Sequence, residues 1–185
     1  MKKVLNQDNV FEKNLQINEM TMKQILFLDR DGVINEKRED YVKSVNEFKF
    51  LPNILDALKT INDLGISIII ITNQSIINRK IISENQLKEI HDYMLKIIEK
   101  NSCKITKIYH CPHHPDEKCN CRKPNPGMIE QAVKDFKIDL SNALLIGDSN
   151  SDIEAANKMK IKSIKIETNG NLNDLIDEIK GIFFK

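Results

Sequence analysis

The stretch ILFLDRDGVIN, Ile25 to Asn35, decides the fold: four apolar residues stop at Asp29, and a second carboxylate, Asp31, follows two positions on. A short, continuously apolar run of this kind suits a strand covered on both faces. On extended backbone, residues two apart point the same way, so Asp29 and Asp31 can face one pocket. Ile66 to Ile71 repeats the design as a longer, β-branched run that ends in Thr72-Asn73-Gln74-Ser75.

Helical patterns separate these runs. Leu55, Leu58, Ile61 and Leu64 recur at helical spacing after Pro52, with Gly65 just past the end. Ser83 and Gln86 form a capping-box start for a helix with Leu87, Ile90, Met94 and Ile97 on one face. Ile105 to Tyr109 reads as a third strand, and Pro126 opens a helix striped by Ile129, Ala132, Val133 and Phe136. Ala143 to Ile146 is a fourth strand, and Ser151 with Glu154 opens the next helix. Ile161 to Ile166 is a last strand, followed by a helix around Leu172 to Ile179. Strand alternating with helix predicts an α/β fold, a doubly wound parallel sheet with helices on both faces. Ligands of such sheets collect beyond the carboxyl ends of the strands.

Composition narrows the function. The chain has 185 residues, room for one domain, with 28 basic against 27 acidic residues. That balance gives no electrostatic reason to expect nucleic acid or a membrane surface as partner. No apolar run approaches the roughly 20 residues of a membrane span, and the first 20 residues carry no apolar stretch of the signal-peptide type. The expectation is a cytoplasmic protein, monomeric by default, with a polar tail over 1–22 and a single domain over 23–185.

The strand ends carry the chemistry. Asp148, in GDSNSD, falls at the end of the fourth strand, and Asp152 follows four residues later at a helix start. Converging strand ends would gather three or four carboxylates, a costly arrangement unless a cation sits among them, and hard oxygen ligands favour Mg²⁺. Gly32 and Gly147 let the backbone come close at both loops. Alone, each piece is weak, since an Asp near a strand end is often a turn residue. The ordered arrival of DRDG, TNQS, Lys123 and GDSNSD carries the weight.

A second cluster lies in the irregular stretch from Tyr109 to Pro126. Cys111, His113, Cys119 and Cys121 form a CxH and a CxC pair separated by five residues. Alternate positions let each pair grip one metal, and three thiolates with an imidazole make a closed, structural Zn²⁺ site. His114 adjoins His113 as a competing ligand. Cys103, His91 and His110 read as structural or solvated.

The ordered set resembles the haloacid dehalogenase superfamily of phosphotransferases from Ile25 to Ile166. The resemblance implies that Asp29 is a nucleophile and Asp31 a general acid and base. It implies that Asp29, the Asp31 carbonyl and Asp148 hold Mg²⁺, that Thr72 and Lys123 hold the transferring phosphoryl group, and that Asp152 orients Asp148 or a metal-bound water. CPHHP, CxCRKPxPGM and DRDGVIN together resemble the D-glycero-D-manno-heptose 1,7-bisphosphate 7-phosphatases and the related histidinol phosphatases, which have little or no cap domain. That resemblance favours His113 as the zinc ligand. It implies a small sugar phosphate as substrate, with Asn73, Gln74, Ser75, Arg122, Lys37, Arg38, Asp40 and Tyr41 binding it. This chain departs at Ile76, where the family usually has Gly, and in the charged EKRED after Asn35. Histidinol phosphate is the alternative substrate. A phospho-acceptor signalling module would lack Asp31 and the Cys loop, and an inactive zinc protein would lack one of the site residues.

Overall fold

The structure, a computed structural model, describes residues 24–184; the polar tail over 1–22 lies outside them. Five strands form one parallel sheet: β1 (Ile25–Leu28), β2 (Ser67–Asn73), β3 (Lys107–Cys111), β4 (Ala143–Gly147) and β5 (Lys162–Lys165). Their order across the sheet is β3-β2-β1-β4-β5. The chain therefore runs outward from β1 to β3, then returns to place β4 on the other side of β1. Leu28 stands level with Ile70 on one neighbour and with Ile146 on the other. The crevice at the carboxyl ends of β1 and β4 is the point where the winding reverses, and that is where such sheets take ligands.

Alternation along the strands builds two cores. Leu26, Leu28, Ile68, Ile70, Leu144 and Ile146 pack under α1 (Ile54–Asp63), α2 (Glu84–Lys100) and α5 (Ile176–Phe183). Ile25, Phe27, Ile69, Ile71, Ala143 and Leu145 pack under α3 (Gly127–Phe136) and α4 (Asn150–Lys158) on the opposite face. The three central strands β1, β2 and β4 thus bury both faces, which explains why the sequence shows continuous apolar runs there rather than alternation with polar residues.

The expected elements are all present with shifted edges. The third strand covers 107–111 rather than 105–109, because pairing with β2 carries it on to Cys111 opposite Asn73. The helix after β4 is capped from Ser149, not Ser151: the Asp152 carboxylate reaches back to accept the Ser149 N–H at 3.0 Å. The final segment splits into a 3-10 turn, Leu172–Leu175, and α5. Among the described residues, no helix is long and apolar enough to cross a membrane.

Candidate active site

The crevice is a cavity of about 250 Å³ lined by Asp29, Arg30, Asp31, Lys37, Arg38, Tyr41, Val42, Thr72, Asn73, Gln74, Arg122, Lys123, Asp148, Ser149 and Ser151. Five basic side chains face three carboxylates there, a balance suited to an anionic ligand.

Asp29 ends β1 at the crevice floor, its backbone N–H bonded to the Ile146 carbonyl at 3.0 Å. Its Oδ1 accepts the Arg30 backbone N–H at 2.8 Å and stands 2.9 Å from Lys123 Nζ. Burial raises the Asp29 pKa to about 6, with the Asp152 and Asp31 charges adding to it and Lys123 opposing. Lys123 is buried; its ammonium contacts Asp29, donates to the Ile71 carbonyl at 2.7 Å and pairs with Asp152 Oδ1 at 2.5 Å. Burial would lower the Lys123 pKa, but the two carboxylates outweigh it and hold the ammonium charged.

Asp148, from the end of β4, accepts at Oδ2 from Lys37 Nζ at 2.6 Å and from Thr168 Oγ1 at 2.8 Å. Its Oδ1 is buried without a hydrogen-bond partner. Oxygens of Asp29, Asp148 and Asp152 lie within 4.8 Å of one another. Three close, buried carboxylates, one with an orphaned oxygen, fit a hard divalent cation, and Asp29 and Asp148 could hold it. The glycines make the approach possible. A Cβ on Gly32 (φ +88°) would stand 2.5 Å from Asp148 Oδ2, and one on Gly147 would stand 2.3 Å from Asp152 Cγ. Asp152 is committed to Lys123 and Ser149, so its visible work is to orient the lysine rather than Asp148.

The Asp31 carboxylate turns away from this trio. Oδ1 accepts from Arg30 Nη2 and Asn35 Nδ2, both at 2.9 Å, and Oδ2 from Arg30 Nη2 and Gln74 Nε2, both at 2.8 Å. Burial pushes its pKa up, but Arg30 and the other donors more than offset that and hold it below the ordinary carboxylate range. Thr72 Oγ1 accepts from Gln74 Nε2 at 2.8 Å, which leaves its own hydroxyl proton free for a ligand.

The substrate residues expected from sequence divide. Lys37, Arg38, Tyr41, Asn73, Gln74 and Arg122 line the cavity; Ser75 and Asp40 do not. The Asn73 amide is spent on Lys123, accepting its backbone N–H at 3.1 Å and donating to its carbonyl at 3.0 Å. Asp40 faces outward, paired with Lys43 and Arg38. Ile76 is fully buried in the core beneath α1 and α2, so the Gly replacement adds anchoring rather than a side chain in the cavity. Sequence reading missed the Lys37 and Thr168 contacts to Asp148 and the link from Arg30 to His91. Only the first carried a signal, the unusual charge of the loop after Asn35.

Beside the crevice, the sulfur atoms of Cys111, Cys119 and Cys121 and Nδ1 of His113 converge. Cys121 Sγ lies 3.2 Å from Cys111 Sγ, 3.4 Å from Cys119 Sγ and 3.2 Å from His113 Nδ1. Zn–S bonds of about 2.3 Å set tetrahedral edges near 3.8 Å, so the four donors stand close to a zinc cage. His114 is not among them: its Nδ1 accepts the Asp116 N–H at 3.4 Å. The chain passes directly from Cys121 to Arg122 and Lys123.

The chain resembles known phosphatases over most of its length. A D-glycero-alpha-D-manno-heptose-1,7-bisphosphate 7-phosphatase of Photorhabdus laumondii is 43% identical over 145 residues, covering 75% of this chain and 79% of the relative. The chain belongs to the heptose-1,7-bisphosphate 7-phosphatase family. A further member, the D-glycero-beta-D-manno-heptose-1,7-bisphosphate 7-phosphatase of Neisseria meningitidis serogroup A, is 40% identical over 71% of each chain. The crystal structure of a D,D-heptose 1,7-bisphosphate phosphatase from B. bronchiseptica, in complex with magnesium and phosphate, superposes with a TM-score of 0.76. It is 32% identical over 84% of this chain and 86% of that one. The HAD-hydrolase-like family model matches residues 120–180, from the Cys loop through β4 to α5. Membership in this family makes the chain a phosphatase, a hydrolase of phosphoric monoesters.

Proposed function

We propose that the protein removes the 7-phosphate of a D-glycero-D-manno-heptose 1,7-bisphosphate through a phosphorylated Asp29. The observation that carries this reading is Asp29 itself, fixed at the topological switch point by Lys123 and the Arg30 N–H, with Asp31 two residues on.

A carboxylate oxygen of Asp29 forms a bond to phosphorus while the bond from phosphorus to the C7 oxygen breaks. Lys123 and the Thr72 hydroxyl donate to the phosphoryl oxygens as charge shifts onto them. Asp31 gives its proton to the departing alkoxide, then takes one from the water that attacks phosphorus and releases inorganic phosphate. Its ordinary state in the free site is ionised, and an arriving phosphate dianion raises its proton affinity. Asp29, the Asp31 backbone carbonyl and Asp148 would hold Mg²⁺, which would supply positive charge to offset the repulsion between the anionic nucleophile and the phosphate.

Arg122, Lys37 and Arg38 at the cavity mouth suit the second phosphate and the sugar. The Cys cluster, taken as Zn²⁺-loaded, fixes Arg122 and Lys123 at the site. Three cysteines gathered without a disulfide fit a reducing, cytoplasmic setting, and the expected protein is a monomer. Histidinol phosphate is the less favoured substrate, because the relatives at 40% and 43% identity carry heptose names.

Phosphate release by zinc-replete protein with Mg²⁺, compared across both heptose bisphosphate anomers and histidinol phosphate, tests the reading. A 100-fold preference in kcat/KM, about 2.7 kcal/mol, for either heptose anomer is expected. A preference for histidinol phosphate overturns the substrate assignment.

A further inference from the structure

Arg30 lies between the two aspartates of the site, and its side chain is 1% exposed. A guanidinium that is buried and fixed must be paired or it costs several kcal/mol. Two partners meet it. Nη2 donates to both oxygens of Asp31, at 2.9 and 2.8 Å, and Nη1 lies 3.0 Å from Nε2 of His91. His91 comes from α2, 61 residues along the chain, and is itself buried.

The chemistry of the second partner is informative. A guanidinium has donors only, so His91 must accept at Nε2 and carry its proton on Nδ1. Burial and the adjacent Arg30 charge hold the His91 pKa down to about 3, so the ring is neutral at any physiological pH. A neutral acceptor fixes one arm of the guanidinium without drawing on its charge. A carboxylate there would compete with Asp31 for that charge. The rest of α2's buried face, Leu87, Ile90, Met94 and Ile98, is apolar, so packing alone gives no reason for an imidazole.

We propose that Arg30 and His91 are positioning residues that hold the Asp31 carboxylate in the plane from which it delivers and recovers a proton. Asn35 and Gln74 complete the set of donors, so each Asp31 oxygen is addressed from two sides. The inference rests on the Asp31 role proposed above. His91 touches neither cavity ligand nor nucleophile and acts through Arg30.

An acid is needed to expel a sugar alkoxide and hardly needed to expel a nitrophenolate, which separates a positioning role from a structural one. His91→Leu removes the acceptor, His91→Gln keeps one in reach, and His91→Glu supplies one that competes for the guanidinium. With heptose 1,7-bisphosphate, the Leu and Glu variants are expected to lose about 10- to 100-fold in kcat, part of the 10²–10⁴ that general acid–base catalysis contributes. KM should stay within about twofold, and Gln should restore kcat to within about threefold. With p-nitrophenyl phosphate, nitrophenolate release in the first turnover should stay within about twofold of the unaltered protein. Later turnovers should slow, giving a burst of one equivalent.

Equal losses on both esters in the first turnover, or unchanged kcat with heptose bisphosphate in the Leu or Glu variant, overturn the proposal. Should the Leu variant fail to fold, Gln against Glu decides: both accept from Arg30, and equal activity sinks the charge argument. Failure of the parent reading is visible separately, as an inactive unaltered protein or an active Asp29→Asn variant.

Discussion

The carboxylate crevice and the sulfur cluster are neighbours built on opposite principles. The cluster gathers four donors from eleven consecutive residues, Cys111 to Cys121. The crevice gathers Asp29, Thr72, Lys123 and Asp148 from three strand ends and a loop, spread over more than half the chain. In the first, backbone alternation alone brings the ligands together. In the second, the sheet order does it, through the reversal between β1 and β4. A local site is therefore closed and inert, with each donor facing the others. A topological site stays open toward solvent and keeps charges in conflict, which is what a reaction requires.

The sharpest way to break this contrast is to remove one charge from the crevice. Asp29→Asn keeps the shape and deletes the nucleophile, so turnover should fall at least about 1,000-fold with the fold retained. Steady-state phosphate release and circular dichroism check both halves. Activity within tenfold of the unaltered protein would mean that another group attacks phosphorus.

The cluster should answer in stability as well as in activity. Cys119→Ser removes one of four donors. Zinc content is expected to fall from one ion per chain to a small fraction, by elemental analysis. A loss of about 3 kcal/mol corresponds to roughly 6–12 °C in Tm for a chain of this size. A variant with full zinc content and unchanged Tm would show the cluster to be four thiol and imidazole groups in chance contact.

The same contrast explains what the sequence revealed. The grouping of Cys111, His113, Cys119 and Cys121 was legible because its spacing is its geometry; between His113 and His114 the spacing left a choice that the resemblance made, and the fold turns His114 onto Asp116. The apolar runs marked the central strands, since a strand buried on both faces must be continuously apolar, and the runs of β1, β2 and β4 lead into Asp29, Thr72 and Asp148 of the crevice. Asn73 shows the limit. Its place after the second strand was readable, but its amide is consumed by the Lys123 backbone, a partner 50 residues away. His91 shows it again. Nothing in a helix of mixed polarity announces that one imidazole meets a buried guanidinium 61 positions earlier. Long-range polar pairing follows from packing, and packing is not periodic.

Lys37 offers a smaller adjustment to the crevice. Its ammonium sits 2.6 Å from Asp148 Oδ2 and its side chain is 44% exposed. A cation and a lysine compete for the same carboxylate, so Lys37→Met should tighten Mg²⁺ binding. A pair this exposed is worth up to about 1 kcal/mol, so the gain should not exceed about fivefold. Calorimetric Mg²⁺ titration without substrate measures it; weaker binding in the variant would mean that Lys37 supports the cation site instead of opposing it.

A pH test asks whether the crevice stores its cost in an uncharged histidine. An unfolded histidine takes a proton near pH 6.5, whereas native His91 does so only at about 3. Between those values the unfolded chain binds more protons than the native one, so stability rises with pH and is lost as pH falls below about 6.5. By pH 5 the loss from this residue amounts to about 2 kcal/mol. Asp29, raised to about 6 chiefly by burial, works in the opposite sense, since its native form takes up a proton before the unfolded one does. That contribution is common to the unaltered protein and His91→Gln and cancels between them. Urea denaturation of both at pH 7 and pH 5 isolates the histidine. The unaltered protein should lose about 2 kcal/mol more than the variant on acidification, and equal losses would mean that His91 meets Arg30 as an ordinary, solvated imidazole.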